Sequence, residues 1–117
     1  MSNAATNTNL VVHSKALEAA GFAIKLVMRV PAPLKSIAEQ VIRSAASVPA
    51  NLVEGHGRVG RDRSNHRRIA FASAKEVDSH LRLLAHTGAI SRTAARDAMQ
   101  ALDQVRAMTW RLLNPKS

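Results

Sequence analysis

Residues 34–55 read LKSIAEQVIRSAASVPANLVEG. Ile37, Val41, Ala45, Val48 and Leu52 recur at threes and fours, which places them on one face of a helix. Pro49 falls inside that stripe. A proline there cannot donate to the carbonyl of Ala45 and costs about 3 kcal/mol or a kink. The expectation is therefore a helix from Leu34 to about Glu54 that either bends at Pro49 or ends and restarts, with Gly55 as its C-cap.

The same period continues on both sides. Upstream, Leu17, Ala20, Ile24 and Val27 form a stripe within Val12–Val30, with Lys15, Glu18, Lys25 and Arg29 largely off it, and Pro31-Ala32-Pro33 stops the helix. Downstream, a third helix is expected to start at Asp62 or Ser64, both usable N-caps, and to run through Ile69, Ala70, Val77, Leu81 and Leu84 to Thr87-Gly88. A fourth follows Ser91 through Ala95, Ala98, Leu102, Val105 and Leu112 to Asn114-Pro115. No segment alternates as a strand does. Four helices of about 20 residues joined by short loops predict an all-α fold, an antiparallel up-and-down four-helix bundle. It spans residues 10–117 as a single domain, preceded by a polar, disordered tail over residues 1–9. Val53, Phe71, Leu83 and Met108 lie off the main stripes, which points either to a second surface buried by self-association or to a wide core stripe.

Composition narrows the function classes. The 117 residues carry 17 Lys+Arg against 8 Asp+Glu, a formal net charge of +9, and no cysteine. Disulfides, iron–sulfur clusters, thiol catalysis and cysteine-ligated zinc are thereby excluded. A surplus of this size suits phosphates, acidic proteins or anionic lipid. Only Phe22, Phe71 and Trp110 are aromatic, so base-specific reading by stacked rings is not expected. Without a cationic-then-apolar leader or a long apolar run, the expected location is the cytoplasm, with no membrane partner.

The segment from Gln40 to Gly55, followed by Gly57-Arg58, resembles the signature of the bacterial four-helix bundle protein family. That family is also known from intervening sequences in large-subunit ribosomal RNA genes and is distantly similar to the accessory protein of diversity-generating retroelements. The matching residues are Arg43, Ser47, Val48, Pro49, Asn51, Leu52, Val53, Glu54 and Gly55. Ile69-Ala70, Ser73 with Glu76, and Gly88-Ala89-Ile90 extend the likeness, which covers about residues 12 to 113. Asn65-His66, Ala72 and Val30 depart from the pattern. The resemblance implies the four-helix fold and a homo-oligomer, typically a pentamer; it implies no catalytic activity. Through the retroelement relatives it also implies a basic surface for nucleic acid and a reverse transcriptase.

Two groups of residues are candidates for function. Ser47 and Asn51 can bond backbone groups disturbed by Pro49, a structural role. Glu54, near a helix C-terminus that disfavours negative charge, needs a cation: Arg43, Arg58 or an arginine of another subunit. Arg58, Arg61, Arg63, Arg67 and Arg68 stand against one acid, Asp62, between His56 and Arg68. Arginines at a helix entrance oppose the macrodipole, and a phosphate backbone would satisfy both the side chains and the helix amides. The bland alternative is a solvated loop or pairing with a neighbouring subunit.

Enzyme readings are weaker. Arg61 and His66 fit the spacing of small helical ribonucleases of the HEPN class, but with 12 Arg and 5 His such a match arises by chance about 1.5 times. Glu76 and His80 are one turn apart without the paired motifs of di-iron bundles. The expected function is thus a non-enzymatic, homo-oligomeric binder of RNA or DNA backbone without metal or cofactor. The alternatives are an oligomer recognising an acidic protein or, less favoured, a HEPN-like ribonuclease.

Overall fold

The computed structural model describes residues 3–115, with side chains from Thr8 onward. Helix α1 spans Asn3–Val27, α2 Lys35–His56, α3 Gly60–His86 and α4 Arg92–Leu113, with a single 3-10 turn at Ala32–Leu34 before α2. Each helix packs on its neighbour in sequence, α4 closes back on α1, and the α2–α3 contact is the most extensive. The result is an up-and-down four-helix bundle 50 Å long and 20–23 Å across. Among the described residues no helix is long and apolar enough to cross a membrane.

The expected tail is helical from Asn3; Met1 and Ser2 lie outside the described residues. Its Asn/Thr/Ala composition reads as loop, but Asn9 is tied to the end of α2 and the first turns of α3, donating to His56 Nδ1 and accepting from Arg67. Tertiary contact overrides local propensity there.

On α1 the inward stripe is Val12, Ala16, Ala19, Ala20, Ala23 and Val27, while Leu17 is 53% exposed. The helix is turned so that its alanines, rather than its larger residues, face the neighbours. Ten of the buried apolar residues described are alanines, and Leu81, Leu84 and Leu102 are the largest of the fully buried side chains. Small residues let the helices approach closely, which serves packing better than burying Leu17 would.

Helix α2 buries Val41, Ala45, Val48 and Leu52 as its period predicts, and it continues through buried Pro49 without a break. Gly55 is not its cap. It lies inside the helix, and a Cβ there would sit 3.1 Å from His66 Cβ and 3.3 Å from the Arg63 carbonyl oxygen. The helix ends instead at Gly57. Nor is α3 capped by Asp62 or Ser64. Extended Val59 precedes it without a side-chain cap, and Gly60, at φ +60°, makes the turn.

The α3–α4 connection follows expectation. Gly88, at φ +81°, donates to the Ala85 carbonyl at 3.0 Å and Ala89 to that of Leu84 at 3.1 Å, the paired bonds of a Schellman ending. Ser91 then caps α4, accepting from the Ala94 amide at 3.2 Å.

Of the off-stripe apolar residues, Met108 is half-buried against the core and Phe71 half-buried against Trp110. Val53 and Leu83 are exposed. A wide stripe therefore accounts for Met108 but not for Val53 or Leu83.

Candidate nucleic-acid interface

A seam of four polar side chains joins α2 to α3. Ser73 Oγ donates to Ser47 Oγ at 2.9 Å, and Asn51 Nδ2 donates to both the carbonyl oxygen and Oγ of Ser47, each at 2.9 Å. The other end of the Asn51 amide faces His66, with Oδ1 2.9 Å from Nδ1. A backbone carbonyl only accepts, so Nδ2 must face Ser47 and Oδ1 must face His66. That assigns the proton of His66 to Nδ1. Asn51 thus bonds the backbone carbonyl of Ser47, just before Pro49, while the Ser47 hydroxyl bonds only side chains, and together they fix the register of α3 against α2. Gly55, one turn beyond Asn51, keeps the two helices close enough for the seam to form.

The remaining signature residues sit outside it. Arg58 lies between two carboxylates: Nη2 is 2.9 Å from Glu54 Oε2 and Nη1 is 3.0 Å from Asp62 Oδ2. These hydrogen bonds, that to Glu54 foremost, hold the guanidinium above its ordinary pKa. Glu54 has therefore found its cation in Arg58. Arg43 is exposed on α2 and enters no ion pair among the described residues.

The five arginines do not form one patch. Arg58 is neutralised, leaving two groups. Arg63 and Arg67 turn inward over the end of the bundle. Arg63 Nε donates to the Arg58 carbonyl at 2.7 Å, and Arg67 Nη2 to Asn9 Oδ1 at 3.2 Å. Burial, and secondarily the charge of Arg63, push Arg67 below its ordinary pKa. Arg111, from the last turn of α4, joins them around a cleft of about 340 Å³ that also touches Thr8, Asn9, Leu112 and Pro115 and, among the described residues, has no Asp or Glu in its lining. On the outer side Arg61 and Arg68 line a second, shallow cleft with Asn65 and Asp62.

Asn9 and Arg111 join this site through the up-and-down topology, which gathers the start of α1, the end of α2, the start of α3 and the end of α4 at one pole. Neither was marked by local sequence; the position of Arg111 in a final helical turn was the available signal. The basic surplus is not confined to this pole. Arg82, His86, Arg92 and Arg96 line a cleft of about 260 Å³ between α3 and α4 towards the opposite end, where Arg82 is held by Asp78 at 3.2 Å. Glu76 and His80 approach within 3.7 Å, and among the described residues no third His, Cys, Asp or Glu joins a metal-ligating group.

A profile of the family described as 23S rRNA-intervening sequence protein matches residues 8–111. The fold is similar to a crystal structure of a protein with unknown function from the S23 ribosomal protein family of Bacteroides thetaiotaomicron. The TM-score is 0.83 at 25% identity, over 92% of this chain and 98% of that one. Among curated proteins no relative matches.

Proposed function

Starting from the membership of this chain in the 23S rRNA-intervening sequence protein family, we propose that it is a non-enzymatic, homo-oligomeric protein that binds nucleic-acid backbone at its arginine-rich pole. The observation that carries this reading is the cleft where the start of α1, the start of α3 and the end of α4 meet. Arg63, Arg67 and Arg111 converge on it with no Asp or Glu among the described residues of its lining, and Arg67 is desolvated beside a like charge. A phosphate entering there relieves the repulsion and accepts charge-assisted hydrogen bonds. Arg61 and Arg68 extend the surface outward, whereas Arg58 is already satisfied by Glu54 and Asp62.

Self-association is supported by apolar side chains left in solvent. Leu10 and Leu17 share one side of α1, Met28 follows in the turn at its end, and Ile42 and Val53 share one side of α2, each between 38% and 70% exposed. A closed ring, with five copies as the resemblance implies, would repeat the arginine cleft around its axis and add avidity.

The ribonuclease reading has less support. Arg61 and His66, five residues apart on α3, point about 140° apart around the helix axis, and His66 Nδ1 is engaged by Asn51.

Salt dependence tests the proposal. Three neutralised phosphates give a slope of about −2.7 in log K against log salt, so duplex affinity should fall about 40-fold between roughly 50 and 200 mM salt. Changing Arg63, Arg67 and Arg111 together to Gln should remove most of that slope. No binding of RNA or DNA at about 50 mM salt would refute the reading and leave an acidic protein as the partner to seek.

A further inference from the structure

The chain has three aromatic residues, and its one tryptophan is only partly used for packing: Trp110 is 52% exposed. Half-buried Phe71 stands behind it, with ring centroids 6.1 Å apart and planes at 48°. Phe71 thereby braces the indole from α3 and leaves much of its surface to solvent. The setting is basic. Lys75 Nζ lies 6.0 Å from the Phe71 ring centroid, and Arg68 lines a cleft of about 250 Å³ together with Phe71, Trp110 and Leu113. Arg68 also lines the adjoining cleft of Arg61 and Asn65. The ring pair and the outward arginines are therefore one continuous surface along α3 and the end of α4.

An exposed, braced ring beside a guanidinium matches the chemistry of an unpaired nucleotide, whose base offers a flat π-face and whose phosphate offers a charge. In a duplex the base faces are already stacked and cannot reach such a ring. An apolar protein segment would gain from Trp110 but not from Arg68, Arg61 and Lys75 around it.

We infer that Trp110, braced by Phe71, is a stacking platform for an unpaired nucleobase whose phosphate is held by Arg68, so that the protein favours single-stranded over duplex nucleic acid. This rests on the backbone-binding reading above and deepens it by naming the form of the ligand. Stacking is tolerant of base identity, so one such platform selects strandedness and not sequence.

Because the chain has one tryptophan and no tyrosine, the fluorescence of Trp110 reports directly on its face. The full chain is titrated with a short oligouridine and, separately, with inorganic polyphosphate, which carries charge without bases. The oligouridine should quench Trp110 and polyphosphate should not. Trp110→Leu should weaken oligouridine binding, read by the anisotropy of a labelled strand, by about five- to a hundredfold without altering the salt slope, and Trp110→Phe should restore most of it. Arg68→Gln should lower the slope by about 0.7.

Binding of oligouridine without quenching, and with Trp110→Leu equal to the parent, overturns the platform while the arginine reading stands. A changed particle mass of Trp110→Leu in light scattering, with unaltered binding, makes the ring a subunit contact and also overturns it. Absence of binding to any nucleic acid overturns both readings.

Discussion

Two helical glycines should respond to the same substitution with opposite signs. Gly21 lies inside α1, more than a turn from its end, and a Cβ there would meet nothing within 4 Å, whereas a Cβ on Gly55 would meet His66 Cβ at 3.1 Å and the Arg63 carbonyl oxygen at 3.3 Å. In a helix interior such as that of Gly21, Gly→Ala removes unfolded-state freedom and improves helix propensity by about 0.5–1 kcal/mol, and at Gly55, the penultimate residue of α2, by no more than that. At Gly21 that gain stands alone, so Gly21→Ala should stabilise the protein by about that amount. At Gly55 the atoms in the way belong to the backbone of α3 and to a Cβ fixed to it, so no side-chain rotation makes room. The helices must separate by a few tenths of an ångström, which strains the seam of Ser47, Asn51, His66 and Ser73. Overpacking of this kind costs about 1–3 kcal/mol, leaving Gly55→Ala destabilised by up to about 2 kcal/mol. Since Gly55 is the penultimate residue of α2 and gains no more propensity than Gly21, the difference between the variants is an upper bound on the packing cost. Urea unfolding followed by helical circular dichroism measures it, at one fixed protein concentration because any oligomer contributes to apparent stability. If Gly55→Ala is as stable as Gly21→Ala, the close approach of α2 and α3 does not govern that position and the account of the seam fails.

Other substitutions test other parts of the argument. Ser91→Ala should cost about 1 kcal/mol by removing the cap on the Ala94 amide, while Ser91→Asp keeps it, both read from urea midpoints. Arg58→Gln should leave affinity for nucleic acid and its salt slope nearly unchanged, because Glu54 and Asp62 already hold that charge; Arg67→Gln should lower the slope by about 0.9. At neutral pH, nitrogen NMR of labelled protein should find the proton of His66 on Nδ1, and Asn51→Ala should release that tautomer while costing about 1–3 kcal/mol in the unfolding assay.

Much of the fold is legible because helix stripes and stops are local. Pro31, Gly88 and Ser91 act within a turn of their own positions, and the threes-and-fours pattern of α2 describes its inner face. Burial on α1 is not legible in that way. Hydropathy ranks Leu17 above Ala16, yet the bundle selects the alanine face because its neighbours come close. Gly55 carries the same lesson: a glycine near a helix end reads as a cap until the second helix that needs its missing side chain is in place.

For the candidate site the balance shifts further towards tertiary structure. The spacing of four from Glu54 to Arg58 to Asp62 was a readable sign that Arg58 is neutralised. No local pattern joins Asn9 and Arg111 to Arg63 and Arg67, since they are brought together only when α1 and α4 end at the same pole.

The sequence by itself determined four amphipathic helices, their main stops and a surplus of nine positive charges, because periodicity, chain-breaking residues and formal charge are local or additive properties. Only the tertiary structure decided which face of α1 turns inward, that the asparagine and serine beside Pro49 bind a second helix, which arginines remain unpaired, and that Trp110 is left half outside. Each of these depends on distances between residues far apart in the chain, and those distances come into being only when the helices pack.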